Sequence, residues 1–153
     1  MITDEKKQAL KQFLYIPDED MDNIKVTQLD ENKVEIYGQE YLVLTDIEAD
    51  NKVKEEIERS LWAFQPSFIL SHCSTYERMS NWEYDSAKEA LEKIQRHFAE
   101  GINELIRAMI KDIDKFVEDA IFEDGRGHFI SLYDWEENEE EVNGVTYYIY
   151  RTN

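Results

Sequence analysis

Apolar residues recur along this chain at helical spacing, then in alternation, then at helical spacing over a long middle stretch, and finally in alternation again. Ala9, Leu10, Phe13 and Leu14 make one apolar side of a helix over residues 4–14, with Thr3 as its cap and Pro17 beyond its end. The polar stretch 18–31 reads as a connection, with a short turn or strand around Ile24–Leu29. KVEIY (33–37) and EYLVL (40–44) alternate as strands about a Gly38–Gln39 turn, which puts Val34, Ile36, Leu42 and Leu44 toward the core. Tyr41 and Val43 make the second strand apolar on both faces, as a central strand requires.

Thr45 and Glu48 stand at capping-box spacing and open a helix carrying Val53, Ile57, Leu61 and Phe64, with Pro66 as its stop. SFILSHC after it reads as a further helical turn or a buried connection, and 75–85 is ambiguous. A second capping box, Ser86 with Glu89, precedes the longest helical pattern, from Ala90 through Leu91, Ile94, Phe98, Ile102 and Leu105 to Ile110. Gly101 marks a break in it. Asp112 or Asp114 caps another helix containing Phe116, Val117 and Ala120, which Gly125 ends. HFISLY (128–133) and VTYYIY (145–150) read as strands joined by the acidic connection DWEENEEEVNG. The whole predicts an α+β fold, with several helices packed on one side of a small antiparallel sheet made from two hairpins. A fully helical bundle with one hairpin is the alternative. At 153 residues the expectation is a single domain spanning 1–153.

Charge changes this picture. Thirty-five acids against seventeen bases give a net charge of −18. That balance disfavours direct contact with nucleic-acid phosphates or an anionic membrane, and favours a protein partner with a basic surface. Cys73 is the one cysteine, so no internal disulfide forms and a cytoplasmic location is expected. The charged start MITDEKKQALKQF lacks the apolar stretch of a signal peptide.

The acids gather toward the C-terminal third. Asp112, Asp114, Glu118, Asp119, Glu123, Asp124, Asp134, Glu136, Glu137, Glu139, Glu140 and Glu141 face only Lys115 and Arg126. Carboxylates four residues apart on a helix lie about 5–6 Å from one another. Such rows can imitate a phosphate backbone and occupy a basic groove, with Trp135 as an aromatic anchor. The plain reading of the same residues is a solvated face and a flexible acidic loop.

A second constellation lies in GRGHFISLYD, where Arg126, His128 and Asp134 are a candidate pocket for an anion or for acid–base chemistry. Its plain reading is a helix stop at Gly125 and an Arg126 paired with nearby acids. His72, Cys73, His97 and His128 lack zinc-ligand spacing, and DEDMD (18–22) lacks the glycine and terminal Glu of a calcium loop, so no metal or cofactor is implied. Cys73 reads as a buried structural thiol. Trp62, Phe64, Phe68, Trp82, Tyr84 and Trp135 read as core aromatics, or as interface anchors where exposed.

Four stretches, EYLVLTDIEAD (40–50), LWAFQPSFI (61–69), GRGHFISLYD (125–134) and YYIYRTN (147–153), together resemble a group of small acidic proteins encoded by bacteriophages, prophages and mobile elements. The resemblance implies a gene expressed in a bacterial cytoplasm, a setting in which small acidic proteins include inhibitors of host defence nucleases. It also leads one to expect a glycine after Tyr133–Asp134, where Trp135 stands instead. The reading that follows is a non-enzymatic acidic binding protein, a nucleic-acid mimic that inhibits a host nucleic-acid-binding or defence protein. The alternatives are a small enzyme or ligand-binding domain using Arg126, His128 and Asp134, and a structural or assembly protein of a phage that dimerises through its sheet edge.

Overall fold

A computed structural model describes the backbone of residues 1–153 and the side chains of all but residues 21 and 22. The reading of DEDMD therefore extends, at Met21 and Asp22, outside the described side chains. The fold is α+β, and the chain divides into two compact units, one of residues 1–53 with 124–153 and the other of residues 54–123.

The first unit holds the sheet. Its strands β1 (Val26–Asp30), β2 (Lys33–Ile36), β3 (Gln39–Leu44), β4 (Asn138–Val142) and β5 (Val145–Arg151) run in the order β1-β2-β3-β5-β4, each antiparallel to its neighbours. β3 is central, as its two apolar faces require. The hairpin turn is Tyr37–Gly38 rather than Gly38–Gln39, with φ 55° and 75° at its two residues. Two positive φ values suit the right-handed strand twist. A turn one residue earlier exchanges the faces of β3. Tyr41 and Val43 therefore join Val34 and Ile36 in the core beneath the first helix, while Leu42 and Leu44 point to the other face with Tyr148 and Tyr150, where Leu44 and Tyr150 are buried too.

The first helix, α1 (Asp4–Phe13), covers the former face with Ala9 and Leu10, and Thr3 caps it by accepting the Lys6 N–H. A fully buried leucine such as Leu10 contributes about 1.5–3 kcal/mol.

The capping box at the start of α2 (Asp46–Arg59) forms as its spacing predicts. The Thr45 N–H donates to Glu48 Oε2 at 2.8 Å and the Glu48 N–H to Thr45 Oγ1 at 3.4 Å. The same carboxylate takes the ammonium of the buried Lys6 at 2.6 Å, and Lys6 also donates to Asn32. Burial pushes the Glu48 carboxyl up, but Lys6 and Thr45 together outweigh it and hold it below the ordinary value of 4.5. The resulting stability is present above pH 4.5 and is lost as the pH falls through the lowered folded-state pKa. Glu48 is 38% exposed, so screening limits its contribution. Glu48→Gln is expected to cost about 1 kcal/mol at neutral pH and to flatten the acid limb of the stability curve, as read from urea titrations across that range.

The second unit is helical. Here α2 stops at Arg59, and Pro66 opens α3 (Pro66–Ser71) instead of ending the preceding helix. Pro is suited to a first helical position, where its missing N–H has no partner to lose. α4 (Asn81–Phe98) is capped by Ser80, six residues before Ser86, and the Ser80 hydroxyl accepts the Glu83 N–H at the helix start. The cap that forms is thus the Ser80 hydroxyl, and Trp82 and Tyr84 are helical. The break falls at Ala99, at φ 47°, two residues ahead of Gly101. α5 (Asn103–Met109) follows, then α6 (Ile113–Asp124), whose first turn is capped by the Asp112 carboxylate. Phe64, Phe68 and Phe116 form an aromatic cluster with centroids 4.8–5.5 Å apart. Trp82 and Trp135, by contrast, are 76% and 68% exposed. No helix among the described residues is long and apolar enough to cross a membrane.

Candidate functional site

Two predicted segments in the C-terminal third change identity, and both shape the candidate site. Residues 128–133 are not a strand: α7 (Arg126–Ile130) occupies the first half and a turn the second. Gly125, at φ 78°, ends α6 and lets the chain turn at once into α7. The acidic connection is not a loop, since it contains β4, which pairs with β5 through an Asn143–Gly144 turn with φ 53° and 78°. Asn-Gly is the strongest short hairpin signal in a sequence, and three consecutive glutamates with poor strand propensity hide it.

Arg126, at the first position of α7, is the most enclosed charge of this region, its side chain 10% exposed. Nε and Nη2 grip Glu137 in a two-point fork at 2.8 and 3.1 Å. Nη1 donates to Asp46 at 2.8 Å and to Asp50 at 3.0 Å, both in the first turns of α2. The guanidinium lies 4.3 Å over the ring of Tyr148, and Tyr150 Oη donates to the Glu137 carboxylate at 2.5 Å. Burial disfavours the arginine's charge, yet the bonds to Glu137 and Asp46 outweigh it and raise the pKa further. Burial and the same Glu137 raise the Tyr150 phenol. One cation and three carboxylates therefore tie α2, α7, β4 and β5 into the first unit.

The other members of that constellation do separate work. His128 is exposed, its ring against Phe129 and Trp135. Asp134 accepts from Ser131 Oγ at 2.7 Å and from the Glu136 N–H at 3.0 Å, holding the turn that follows α7. Trp135 takes the conformation expected of a glycine there, φ 62°. Gly127 sits beneath it, where a Cβ would meet the Trp135 carbonyl oxygen at 2.3 Å. The turn thus carries a positive φ at a tryptophan, and the close backbone approach falls on Gly127. Every nitrogen of Arg126 is engaged by carboxylates.

The acidic candidates divide between the units and by occupation. In the second unit, Asp112 caps α6, Asp114 pairs with Lys54, and Glu118 and Asp119 flank Lys115. Glu123 ends that unit exposed. In the first unit, Glu137 serves Arg126 and Asp134 serves Ser131. Asp124, Glu136, Glu139 and Glu141 are exposed and Glu140 is half-buried. Glu139 and Glu141 point to one face of the edge strand β4, about 6.8 Å apart by strand geometry. Three cations of this unit, Lys6, Lys11 and Arg126, are enclosed against carboxylates, whereas Lys25 is exposed and Lys7, Lys33, Lys52 and Arg151 are half-buried.

His72 and Cys73 lie in the second unit beside a cavity of about 290 Å³ that Lys111 and Lys115 also line. His72 Nε2 stands 3.3 Å from Asp119, while its ring packs on Phe68 and Phe116. Burial lowers the His72 pKa and raises that of the Cys73 thiol, which donates to the Ile69 carbonyl. That pair is a neutral imidazole and a protonated thiol at neutral pH. Among the described residues, no group of three or more His, Cys, Asp or Glu side chains is placed to hold a metal ion.

Sequence reading missed the two long-range partners of Arg126, Asp46 and Asp50, which are 80 and 76 residues away. It also missed Tyr15 and Tyr37, both non-glycine residues at φ 55°. Tyr-Gly at the hairpin tip was the available signal for the second. Comparison with family models, curated proteins and solved structures finds no match for the chain.

Proposed function

We propose that the protein is a non-enzymatic binder of a basic protein surface, acting in the bacterial cytoplasm as a nucleic-acid mimic. The observation that carries this reading is the outward pair of carboxylates on β4 in the first unit. Three of that unit's cations, Lys6, Lys11 and Arg126, are drawn inside against carboxylates, while Glu139 and Glu141 stand outward on one face of the edge strand β4. A strand holds its carboxylates at fixed spacing, whereas a flexible loop would lose entropy on binding. Glutamates on an edge strand also discourage pairing with a second sheet, which explains their tolerance there but not the excess of acids around them.

A basic groove that normally carries phosphates would exchange its condensed anions for these side chains, so affinity would fall steeply with salt. In the setting that the phage-like resemblance implies, the target is a host nucleic-acid-binding or defence protein. The test is competition. A bacterial protein captured on the immobilised chain at low salt, and released at high salt, is loaded with duplex DNA and titrated with the free chain. The expected result is stoichiometric release of the DNA. A captured partner that keeps its DNA while bound to the chain would overturn the mimic reading.

A further inference from the structure

Two tyrosines of the first unit occupy backbone positions that penalise them. Tyr15 follows α1 in the left-handed region, φ 55°, where the Ile16 N–H reaches back to the Lys11 carbonyl and the Tyr15 N–H to that of Gln12. That pair of bonds is the helix-ending motif in which glycine is the usual residue. Tyr37 takes the first place of the β2–β3 turn, also at φ 55°, where asparagine or glycine is usual. A bulky side chain at positive φ is strained, and neither ring recovers that cost by burial, since they are 92% and 73% exposed. Strain without a packing return marks residues retained for another purpose.

Both tyrosines line one cavity of about 620 Å³, together with Leu14, Pro17 and Ile24. Asp20, Glu35 and Lys25 line it as well, which leaves one carboxylate in excess. Among the described residues neither Asp20 nor Glu35 forms an ion pair. We propose that this cavity anchors a cationic side chain of the partner protein, an arginine, against the faces of Tyr15 and Tyr37 beside those carboxylates. A guanidinium suits such a site better than an ammonium, because it is planar, weakly hydrated and able to stack on an aromatic ring while bonding a carboxylate. The net charge of −18 draws such a group in. The assignment rests on the reading of the chain as a binder of basic proteins, and adds to it an aromatic anchor remote in sequence from β4.

The test uses the full chain and an N-acetylated, C-amidated hexa-arginine peptide, followed by amide shift mapping at about 0.15 M salt. Shifts are expected at residues 14–16 and 35–38. In the double variant Tyr15→Gly, Tyr37→Asn the peptide affinity is expected to fall at least about tenfold, while the thermal midpoint holds or rises because the backbone strain is relieved. Unchanged affinity in that variant, or a lowered thermal midpoint, would overturn the anchor. Equal binding of hexa-lysine with the same dependence on the tyrosines would overturn the arginine preference. Shifts confined to Glu139 and Glu141 would remove the cavity while leaving the acidic binder standing. No binding of the peptide even at low salt would remove both.

Discussion

Arg126→Ala is expected to lower the stability of the chain by about 3 kcal/mol, shifting the thermal midpoint down by roughly 6–12 °C. Removing one partner of a buried ion pair costs about 3–5 kcal/mol, because the charge left behind has neither its counter-ion nor water. Here the abandoned groups are three carboxylates of unequal exposure. Asp46 and Asp50 are 67% and 60% exposed and can rehydrate, whereas Glu137, at 32%, is left with the Tyr150 hydroxyl as its donor. That places the cost at the lower end of the range. Arg126→Lys keeps the charge but not the fork to Glu137, so it is expected to recover only part of the loss. Arg151→Ala is the control: its guanidinium stacks on the half-exposed Tyr133 at the surface, and its removal is expected to cost under about 1 kcal/mol. Thermal melts of the three variants separate a keystone from an ordinary surface arginine.

The second large effect is expected in binding, not stability. The double reversal Glu139→Lys, Glu141→Lys changes four units of charge on one face of β4 without touching a buried side chain. If that face meets a basic groove, each reversal replaces an attraction by a repulsion. The pair is then expected to weaken binding by about a hundredfold at low salt, with the difference shrinking as salt rises. Reversal of Glu55 and Glu56 changes the overall charge equally, but those residues sit on α2 beside Arg59 in the other unit. Their effect is expected to stay within about threefold, the share of long-range steering alone. A like-for-like loss at both pairs would make net charge, not the geometry of β4, the cause.

What the sequence discloses here follows from how local the physics is. Thr3, and Thr45 with Glu48, announced their helices because a cap is a contact between residues three apart. The Ser86–Glu89 spacing misled for the same reason: the motif recurs six residues earlier at Ser80–Glu83, and only packing chooses between them. β3 announced its central place through apolar residues on both faces, yet its register depended on a one-residue shift of the turn. HFISLY has the composition of a strand but folds as α7 and a turn. Arg126 is held there by Asp46 and Asp50, and no pattern within that stretch encodes partners so distant. The pairing of Arg126 with nearby acids was legible in Glu137. The strand that carries Glu139 and Glu141 was hidden by their own low strand propensity, although Asn143–Gly144 marked its turn. The strained tyrosines were invisible, because positive φ at a non-glycine residue is a property of the backbone path and not of composition.

The claim on which the function depends is that carboxylates fixed on β4 bind a basic protein. Binding isotherms of the captured bacterial partner test it most directly, for the unaltered chain and for the Glu139→Lys, Glu141→Lys variant across a series of salt concentrations. The account predicts a steep linear fall of log affinity with log salt for the unaltered chain and a shallower, weaker line for the variant, both chains melting at the same temperature. Two coincident lines, or an affinity indifferent to salt, would contradict it.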